Sequence, residues 1–447
     1  MDKTQIKQLA SELTTRKELL VLLNKIRREE VKRKGIAEKY YLFTMKHLNY
    51  YCNPNNTFHR YNYFEIEKKS GGTRKITTPR NRSYMELLRC VNTMFKSIYT
   101  PSDYAKGFTE GRSVVTNANA HIGQNYVFNI DLKDFFQSIE QPRIWKRFQL
   151  EPFCFPAAIA NVLAGLCSMR ETLVDDTGKK TYKYVLPQGA PTSPIITNMI
   201  CDKLDRRLAG LAKRFGIHYS RYADDITFSS MHYVYAKDGD FRTELERIIS
   251  DQGFTININK TRLQKRGSRQ EVTGIIVSNK INVTKKYTRE IRSLLYIWEK
   301  YGYSKALLKY MQKHSVKNDT NKKKNANLMT FLNGKLLYLK MVKGGKDPVY
   351  SRLHEKYIEL MPKNNKKYPY LFTYLETKPL LEFEKENNTN VIFYCKENVR
   401  YATFLFGNIK QKAIISKDIS MDKELDKEEL NISYCTNCKK TQIWYIS

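Results

Sequence analysis

The chain has 447 residues and carries 78 Lys and Arg against 45 Asp and Glu, which gives a formal net charge of +33 at pH 7. Solubility does not require so large a charge, and its sign indicates a polyanionic partner such as nucleic acid, bound largely through counterion release. A membrane surface is the competing polyanion, but the sequence contains no run of about 20 apolar residues that could span a bilayer.

Two further features of the sequence indicate where the protein works. The first residues lack the apolar segment of a secretory signal. The 8 cysteines are scattered, which is typical of a reducing compartment rather than of a disulfide framework. We therefore expect a cytoplasmic protein without a membrane partner.

The first hundred residues predict helices and one basic turn. Residues 5–50 place Leu and Ile among many Lys and Arg, a helical pattern, and Met85 to Ile98 is an amphipathic helix with apolar residues at spacings of three and four. Gly71 and Gly72 allow a tight turn. Basic residues flank this turn and could neutralise a triphosphate: Lys68, Lys69 and Arg74. An exposed basic hairpin without a ligand is the alternative.

Three acidic residues adjoin apolar runs. A strand predicted from Tyr126 to Leu132 brings Asp131 to its end. A hairpin predicted from Arg221 to Phe228 carries Asp224 and Asp225 at its tip. Adjacent carboxylates repel each other unless cations neutralise them, and two divalent metals about 3.5–4 Å apart would also clamp the oxygens of a phosphoryl transfer. An isolated Asp-Asp pair is more often a solvated turn, so the third acid carries the argument.

Between these acids, Leu186 to Pro194 contains three prolines and a glycine that break regular structure, and an apolar helix follows from about Ile195 to Leu211. The order and spacing of these elements resemble the palm of reverse transcriptases, and the resemblance covers roughly residues 50–345. It implies an α+β fold of the right-hand polymerase type, with fingers, a ferredoxin-like palm and a helical thumb.

The resemblance also implies roles for single residues. Asp131, Asp224 and Asp225 would hold two Mg²⁺ ions and catalyse polymerisation, and Tyr222 would pack beneath the primer end. Phe136 would exclude the 2′-hydroxyl of a ribonucleotide; the alternative is that it is a core residue, a role we expect for its neighbour Phe135. Phosphates would also meet the backbone at Leu132 and Lys133, and Lys260 is a candidate proton donor to the leaving pyrophosphate. The residues expected at the nucleotide are Lys68, Lys69, Arg74, Leu132, Phe136, Gln188 and Lys260.

Asn117 to His121 reads N-A-x-x-H, and a second motif reads V-T-G: Val272, Thr273 and Gly274. Both resemble motifs of retron reverse transcriptases, bacterial enzymes that copy part of a dedicated structured RNA into DNA and act in phage defence. The resemblance implies that Asn117 and His121 contact RNA and that the V-T-G residues contact primer and template. From the residues alone, His121 could instead be a hydrogen-bonded structural histidine, and 272–277 predicts a β-branched strand with a bulge glycine.

The last third of the chain predicts helices followed by strands. Thr288 to Tyr301, ended by Gly302, is a predicted helix, which the patterns near 304–314 and 328–342 would complete as a thumb. Arg289 and Arg292 on this helix are expected to contact RNA. Short β-branched and aromatic runs then predict a β-rich accessory domain, with strands at 391–395, 402–406, 413–415 and 443–445.

Residues 371–447 contain 11 basic and 11 acidic residues, so residues 1–370 carry the whole net charge of +33. This asymmetry predicts separate functions for the two parts. Cys435 and Cys438 have the spacing of metal ligands, but a zinc site needs four ligands and no histidine follows His354. We therefore do not expect Zn²⁺ there.

The sequence predicts four regions: helices at 1–50, fingers and palm at 51–284, the thumb at 285–360 and the accessory domain at 361–447. We expect an RNA-directed DNA polymerase that uses dNTPs to copy a structured non-coding RNA into cDNA as a retron in anti-phage defence, and an effector protein could be a further partner. The alternatives are a defence-associated reverse transcriptase outside the retrons, since a minimal retron enzyme would end near the thumb, and an RNA-binding scaffold that restrains a toxic effector.

Overall fold

The computed structural model describes residues 1–34, 41–67, 71–174, 177–314 and 327–361, together with the backbone of five later strands. The chain divides into two compact units, Met1–Ile281 and Asn282–Ser447. None of the helices in the described ranges is both long and apolar enough to cross a bilayer.

The first unit combines helices and strands. Its helices are α1 (Lys3–Ser11), α2 (Arg16–Lys34), α3 (Met45–Cys52), α4 (Thr57–Arg60), α5 (Arg82–Ile98), α6 (Val114–Asn119), α7 (Gln141–Phe148), α8 (Ala157–Cys167), α9 (Ser193–Arg214) and α10 (Asp240–Asp251), with 3-10 turns at Pro54–Asn56 and Ile258–Lys260. The strands up to the boundary are β1 (Tyr61–Glu67), β2 (Thr73–Pro79), β3 (Tyr126–Asp131), β4 (Met169–Val174), β5 (Lys180–Val185), β6 (His218–Tyr222), β7 (Asp225–Ser230), β8 (Arg262–Lys265), β9 (Glu271–Val272), β10 (Ile275–Val277) and β11 (Ile281–Asn282).

The palm is a four-stranded antiparallel sheet in the order β6-β7-β3-β8. The inner residues of β3 and all residues of β7 after Asp225 are buried, so the central strands are covered on both faces. The strand and hairpin predicted around the acids are thereby confirmed, and so is the right-hand polymerase class of the fold. Two hairpins, β1–β2 and β4–β5, stand apart from this sheet.

Helix α5 packs against the N-terminal helices α1 and α2 and also contacts α9. Its buried residues include Leu87, Val91 and Met94, which recur at spacings of three and four as predicted, and the Asn81 side chain caps the helix by accepting from the Tyr84 N–H. Ile6 and the buried leucines of α2 belong to the same apolar core. Since each fully buried Leu, Ile or Met side chain contributes about 1.5–3 kcal/mol, α1 and α2 fold as part of this unit.

In the part of the second unit that the structure describes, there are helices and two β-sheets. The helices are α11 (Lys285–His314), α12 (Leu328–Lys343) and α13 (Pro348–Leu360), and the strands are β12 (Asn390–Lys396), β13 (Val399–Phe406), β14 (Ile409–Ser416), β15 (Leu430–Cys435) and β16 (Lys440–Tyr445). The expected β-rich C-terminal region is confirmed: β12, β13 and β14 form one antiparallel sheet, and β15 pairs with β16.

One element prediction is confirmed and another needs correction. Gly302 ends the predicted thumb helix: its φ of 82° and ψ of 166° are not helical, and within α11 they separate residues 285–301 from a second helical stretch that reaches His314. Residues 272–277 do not form one strand. Thr273 (φ 46°) and Gly274 (φ 82°) make a two-residue turn that folds β10 back on β9, because two successive positive φ values are what a tight hairpin turn requires.

Candidate active site

The palm sheet brings the three predicted acids to one end. Asp131 is the last residue of β3 and is the register partner of Asp225, the first residue of β7. Asp224 belongs to the two-residue turn that joins β6 to β7. The other turn residue, Ala223, has a φ of 58°, a left-handed conformation that a tight hairpin turn demands and that alanine rarely adopts.

Backbone hydrogen bonds fix the acids relative to the neighbouring loops. The Leu132 N–H donates to the Asp224 carbonyl at 3.0 Å, and the Asn257 N–H donates to the Asp131 carbonyl at 2.8 Å. The 3-10 turn after Asn257 thereby places Lys260, whose Nζ lies 2.9 Å from both carboxylate oxygens of Asp131. The sheet, the acid turn and the Lys260 segment therefore form one connected site.

Neighbouring positive charge compensates Asp224 and Asp225 only in part. Burial, then the charge of Asp224, and also that of Asp131 raise the pKa of Asp225 to about 7, although Arg262 and Lys260 oppose the shift. Burial, and then Asp131, likewise raise the pKa of Asp224, against smaller effects of Lys260 and Arg74. Oxygen ligands with unneutralised negative charge fit Mg²⁺, a hard cation. Within the described residues, no three His, Cys, Asp or Glu side chains already surround a common metal position.

Two of the predicted nucleotide contacts, Arg74 and Gln188, are connected through strand β2. Arg74 on β2 acts electrostatically on Asp224. The loop of Gln188 is attached to the same strand, because the Gln188 carbonyl accepts from the Thr77 N–H at 2.8 Å. A Cβ on Gly189 would lie 2.5 Å from the Thr77 carbonyl oxygen, which explains the glycine. Lys68 and Lys69 lie outside the described residues.

The structure does not leave the backbone N–H groups of Leu132 and Lys133 free for the phosphates predicted to bind around these residues. The Leu132 N–H is donated to Asp224, as above, and the Lys133 N–H is donated to the Thr255 carbonyl at 2.8 Å. An N–H group that already donates within the protein is not available to a phosphate oxygen. The Leu132 side chain is also buried.

Phe135 and Phe136 differ as expected. Phe135 is 3% exposed and packs against Phe254, with ring centroids 5.7 Å apart, so it is a core residue. Phe136 is half-buried, and its ring faces Phe108 at a centroid distance of 6.5 Å. Phe108 also lines an open cleft of about 1190 Å³ that reaches Tyr222, the residue before the acid turn.

The structure contradicts direct RNA contacts by Asn117 and His121, since both residues are 0% exposed. His121 lies 2.7 Å from the hydroxyls of Ser229 (Nδ1) and Ser220 (Nε2), and burial lowers its pKa to about 3, which keeps the ring neutral. The Ser220 hydroxyl donates to the Asn117 Oδ1 at 2.7 Å. The N-A-x-x-H motif therefore supports β6 and β7 from behind, as a buried network of neutral hydrogen bonds.

The V-T-G motif lies beside this network. The Asn117 Nδ2 donates to the Thr273 hydroxyl at 3.4 Å, a long hydrogen bond that connects the two motifs. The Val272 side chain is fully buried, which contradicts its predicted contact with primer or template, whereas Thr273 and Gly274 form the hairpin turn. Thr273 is half-buried and Gly274 is exposed, so their contact with primer or template stays a prediction.

The remaining predicted residues belong to the second unit. Arg289 and Arg292 are exposed on α11, and Arg292 lines a cavity of about 620 Å³ with Tyr296 and Arg352. Their contact with RNA stays a prediction. The prediction that Cys435 and Cys438 do not bind Zn²⁺ concerns side chains that lie outside the described part of the chain.

Sequence reasoning missed a buried ion pair behind the acid turn. Arg221 on β6 and Asp205 on α9 are 0% and 1% exposed, and the guanidinium meets both carboxylate oxygens at 2.7 Å. One signal was available, since Asp205 lies on the apolar side of the helix beside Leu204 and Leu208. Periodicity cannot show that its partner lies 16 residues later on a strand.

A palm sheet with three carboxylates at one end defines a right-hand polymerase. The profile described as "Reverse transcriptase (RNA-dependent DNA polymerase)" matches residues 66–297, just over half of the chain, and the chain belongs to this family. Its sequence is of the retron type, as the two short motifs predicted.

Three retron reverse transcriptases illustrate the similarity. Retron Mx65 reverse transcriptase of Myxococcus xanthus is 37% identical over 54% of this chain and 57% of its own length. Retron Ec86 reverse transcriptase of Escherichia coli is 35% identical over 53% and 69%. Retron Mx162 reverse transcriptase of Myxococcus xanthus is 35% identical over 50% and 48%. The chain thus spans about half to two thirds of the length of these relatives.

Among solved structures, telomerase from Candida albicans with a fragment of telomeric RNA shares 11% identity at a TM-score of 0.34, over 76% of this chain and 68% of that one.

Proposed function

We propose that this protein is an RNA-directed DNA polymerase that copies a dedicated structured RNA into DNA as part of a retron, and that this synthesis serves anti-phage defence. The observation that carries the proposal is the meeting of Asp131, Asp224 and Asp225 at one end of the palm sheet, with Lys260 beside them. The retron relatives support the choice of RNA as template and DNA as product.

The three aspartates would hold two Mg²⁺ ions. When bound, these ions would lower the pKa of the primer hydroxyl and neutralise negative charge on the triphosphate. Lys260 would then leave Asp131 and present its ammonium proton to the pyrophosphate oxygen that departs. Arg74 would face the triphosphate from β2 and add a fixed positive charge. Tyr222 would support the primer end from the strand that leads into the acid turn.

Replacement of Asp224 or Asp225 with Asn tests the proposal directly. Each change keeps the shape of the side chain but removes a charged ligand, so primer extension should collapse while thermal unfolding stays cooperative. Either single variant should lose nearly as much activity as the double variant, because the acids act as a unit. Asp238→Asn, a change at an exposed residue of a surface loop, is the matched control and should retain activity.

The nucleic acid that co-purifies separates a polymerase from an RNA-binding scaffold. Native protein should carry both RNA and DNA, distinguished by RNase and DNase before sequencing, whereas the Asp224→Asn, Asp225→Asn double variant should carry RNA alone. Phage plaque counts in cells that produce each form test the defence role. DNA on the double variant, or primer extension by it, would overturn the proposed function.

A further inference from the structure

The ion pair of Arg221 and Asp205 is connected to the acid turn by an unusually complete set of hydrogen bonds. The Arg221 Nε and Nη2 donate to the two oxygens of Asp205, both at 2.7 Å. The remaining guanidinium nitrogen, Nη1, donates to the carbonyl of Ala223 at 3.1 Å. Arg221 therefore joins helix α9 to the turn residue that immediately precedes Asp224.

Other groups hold the pair itself in place. Asp205 also accepts from the Tyr219 hydroxyl at 2.7 Å and from the Ser102 hydroxyl at 3.2 Å. The Asn198 Oδ1 accepts from the Arg221 Nη2 at 3.2 Å, and the Asn198 Nδ2 donates to the Gly107 carbonyl at 3.0 Å. The network thus spans β6, α9 and the loop around Gly107.

The same loop meets the backbone of Arg221. The Arg221 N–H donates to the Tyr104 carbonyl at 2.9 Å, and the Lys106 N–H donates to the Arg221 carbonyl at 2.7 Å. Gly107 then approaches the turn so closely that a Cβ there would lie 2.7 Å from the Ala223 nitrogen. The acid turn is thereby held on one side by hydrogen bonds and on another by direct contact.

Stability alone is a weak reason for such a pair, because replacing a buried ion pair with well-packed apolar residues is often neutral or stabilising. A planar guanidinium that donates twice to one carboxylate and once to a turn carbonyl instead fixes both the orientation and the distance of the turn relative to helix α9. The carbonyl that it fixes belongs to Ala223, whose φ of 58° must be maintained for Asp224 to stand at the tip.

We propose that Arg221 and Asp205 are positioning residues that set the orientation of the acid turn, so that Asp224 and Asp225 can bind divalent cations together with Asp131. The inference rests on the proposed function, since it assigns these two residues a role in preparing the metal site. Neither residue touches substrate, and both act through the carbonyl of Ala223.

Arg221→Lys tests this role because it keeps the buried positive charge but replaces the planar fork with a single ammonium group. The lysine can pair with Asp205 but cannot also hold the Ala223 carbonyl in the same geometry. The readout is Mn²⁺ affinity, measured by electron paramagnetic resonance without nucleotide or template. We expect affinity to fall by roughly 10–100-fold, the range seen when outer residues that orient metal ligands are changed.

Arg60→Lys is the matched control. Arg60 is also 0% exposed, and its guanidinium likewise donates to several oxygens, including the Gly165 and Ser168 carbonyls at the end of α8. Its replacement should lower thermal stability in the same way but leave Mn²⁺ affinity unchanged. Asn198→Ala provides a milder second variant, since it removes one acceptor of Arg221 while the ion pair with Asp205 remains, and it should weaken Mn²⁺ binding by a smaller factor.

The outcomes separate this inference from the proposed function. If native protein binds Mn²⁺ and the Asp224→Asn variant does not, the metal site is established independently of activity. The positioning role is then supported by weaker binding in folded Arg221→Lys or, where that variant does not fold, in Asn198→Ala. The positioning role would be overturned if folded Arg221→Lys binds Mn²⁺ as tightly as the native protein does. It would also be overturned if Arg60→Lys loses as much Mn²⁺ affinity as Arg221→Lys. Failure of native protein to bind Mn²⁺ would instead count against the proposed function.

Discussion

Asp225 links the charge state of the site to folding. Its folded pKa of about 7 lies above the ordinary value of about 3.9, because burial and the neighbouring carboxylates disfavour the charged form. The folded protein therefore holds a proton that the unfolded chain releases between these two values. The stability that this proton provides is complete below about pH 4 and is lost as pH rises through 7.

Metal-free protein should consequently lose stability relative to its Asp225→Asn variant as pH rises from 5 to 8, by roughly 3 kcal/mol for a shift of this size. Urea unfolding in EDTA at both pH values measures the difference. Added Mg²⁺ should stabilise the native protein more at pH 8 than at pH 6, because cation binding must displace the proton. An identical pH dependence in the two proteins would show that Asp225 is ionised in the folded state.

Phe136 should determine the choice of sugar. Its half-buried ring can close the site against a 2′-hydroxyl and offers that hydroxyl no hydrogen bond, so a ribonucleotide meets steric and desolvation costs together. In single-nucleotide incorporation, Phe136→Ala or Phe136→Val should raise the use of rNTP relative to dNTP by roughly tens-fold, equivalent to about 2 kcal/mol.

Phe135→Leu is the control for the sugar prediction. Phe135 is 3% exposed in the core, so its change should cost stability without altering the preference for dNTP. A native preference for rNTP, or an unchanged preference in both Phe136 variants, would remove Phe136 from this role.

At the scale of elements, the close approach of the Gly107 loop to the β6–β7 hairpin sets where the acids lie. Gly107→Ala should displace the hairpin, because the added Cβ would stand 2.7 Å from Ala223 N and 3.1 Å from Tyr222 C. A shift near 1 Å can cost about 100-fold in rate, and we expect primer extension to fall by that order.

Gly210→Ala on α9 is the corresponding control, since a Cβ there meets nothing within 4 Å. It should leave activity intact and stabilise the helix by about 0.5–1 kcal/mol. If Gly107→Ala and Gly210→Ala extend primers equally well, the Gly107 loop moves to accommodate the added Cβ and the hairpin keeps its position.

Local patterns predicted the elements better than the interactions between them. The spacing of apolar residues predicted α5 and α9, and acids next to apolar runs predicted β3 and the β6–β7 hairpin. These elements could be predicted because each depends on residues that are close together in the sequence. The burial of His121 and the pairing of Arg221 with Asp205 depend on strands and helices that meet only in the fold. The V-T-G turn was missed because its residue types also suit a strand; two positive φ values decided it.

At the scale of the whole molecule, the uneven distribution of charge predicts which part grips RNA. Residues 1–370 carry the whole +33, and residues 371–447 are neutral, with 11 residues of each sign. Counterion release makes the affinity for RNA depend on the number of phosphates neutralised, so the salt dependence of binding reports that number. The C-terminal strands should therefore contribute little to that dependence, even if they bind another partner.

Removal of residues 371–447 should leave the slope of log affinity against log salt nearly unchanged. The double variant Arg289→Gln, Arg292→Gln should instead reduce the magnitude of this slope, by roughly 0.7 for each single-strand phosphate that is no longer neutralised. Lys203→Gln with Lys213→Gln, at two exposed positions on α9, removes the same charge elsewhere and is the control. Filter binding across a salt series measures all four proteins. The truncation removes equal numbers of positive and negative charges, so it cannot change the slope through net charge alone. If it lowers the slope as much as the two arginine changes do, the neutral segment itself binds RNA phosphates.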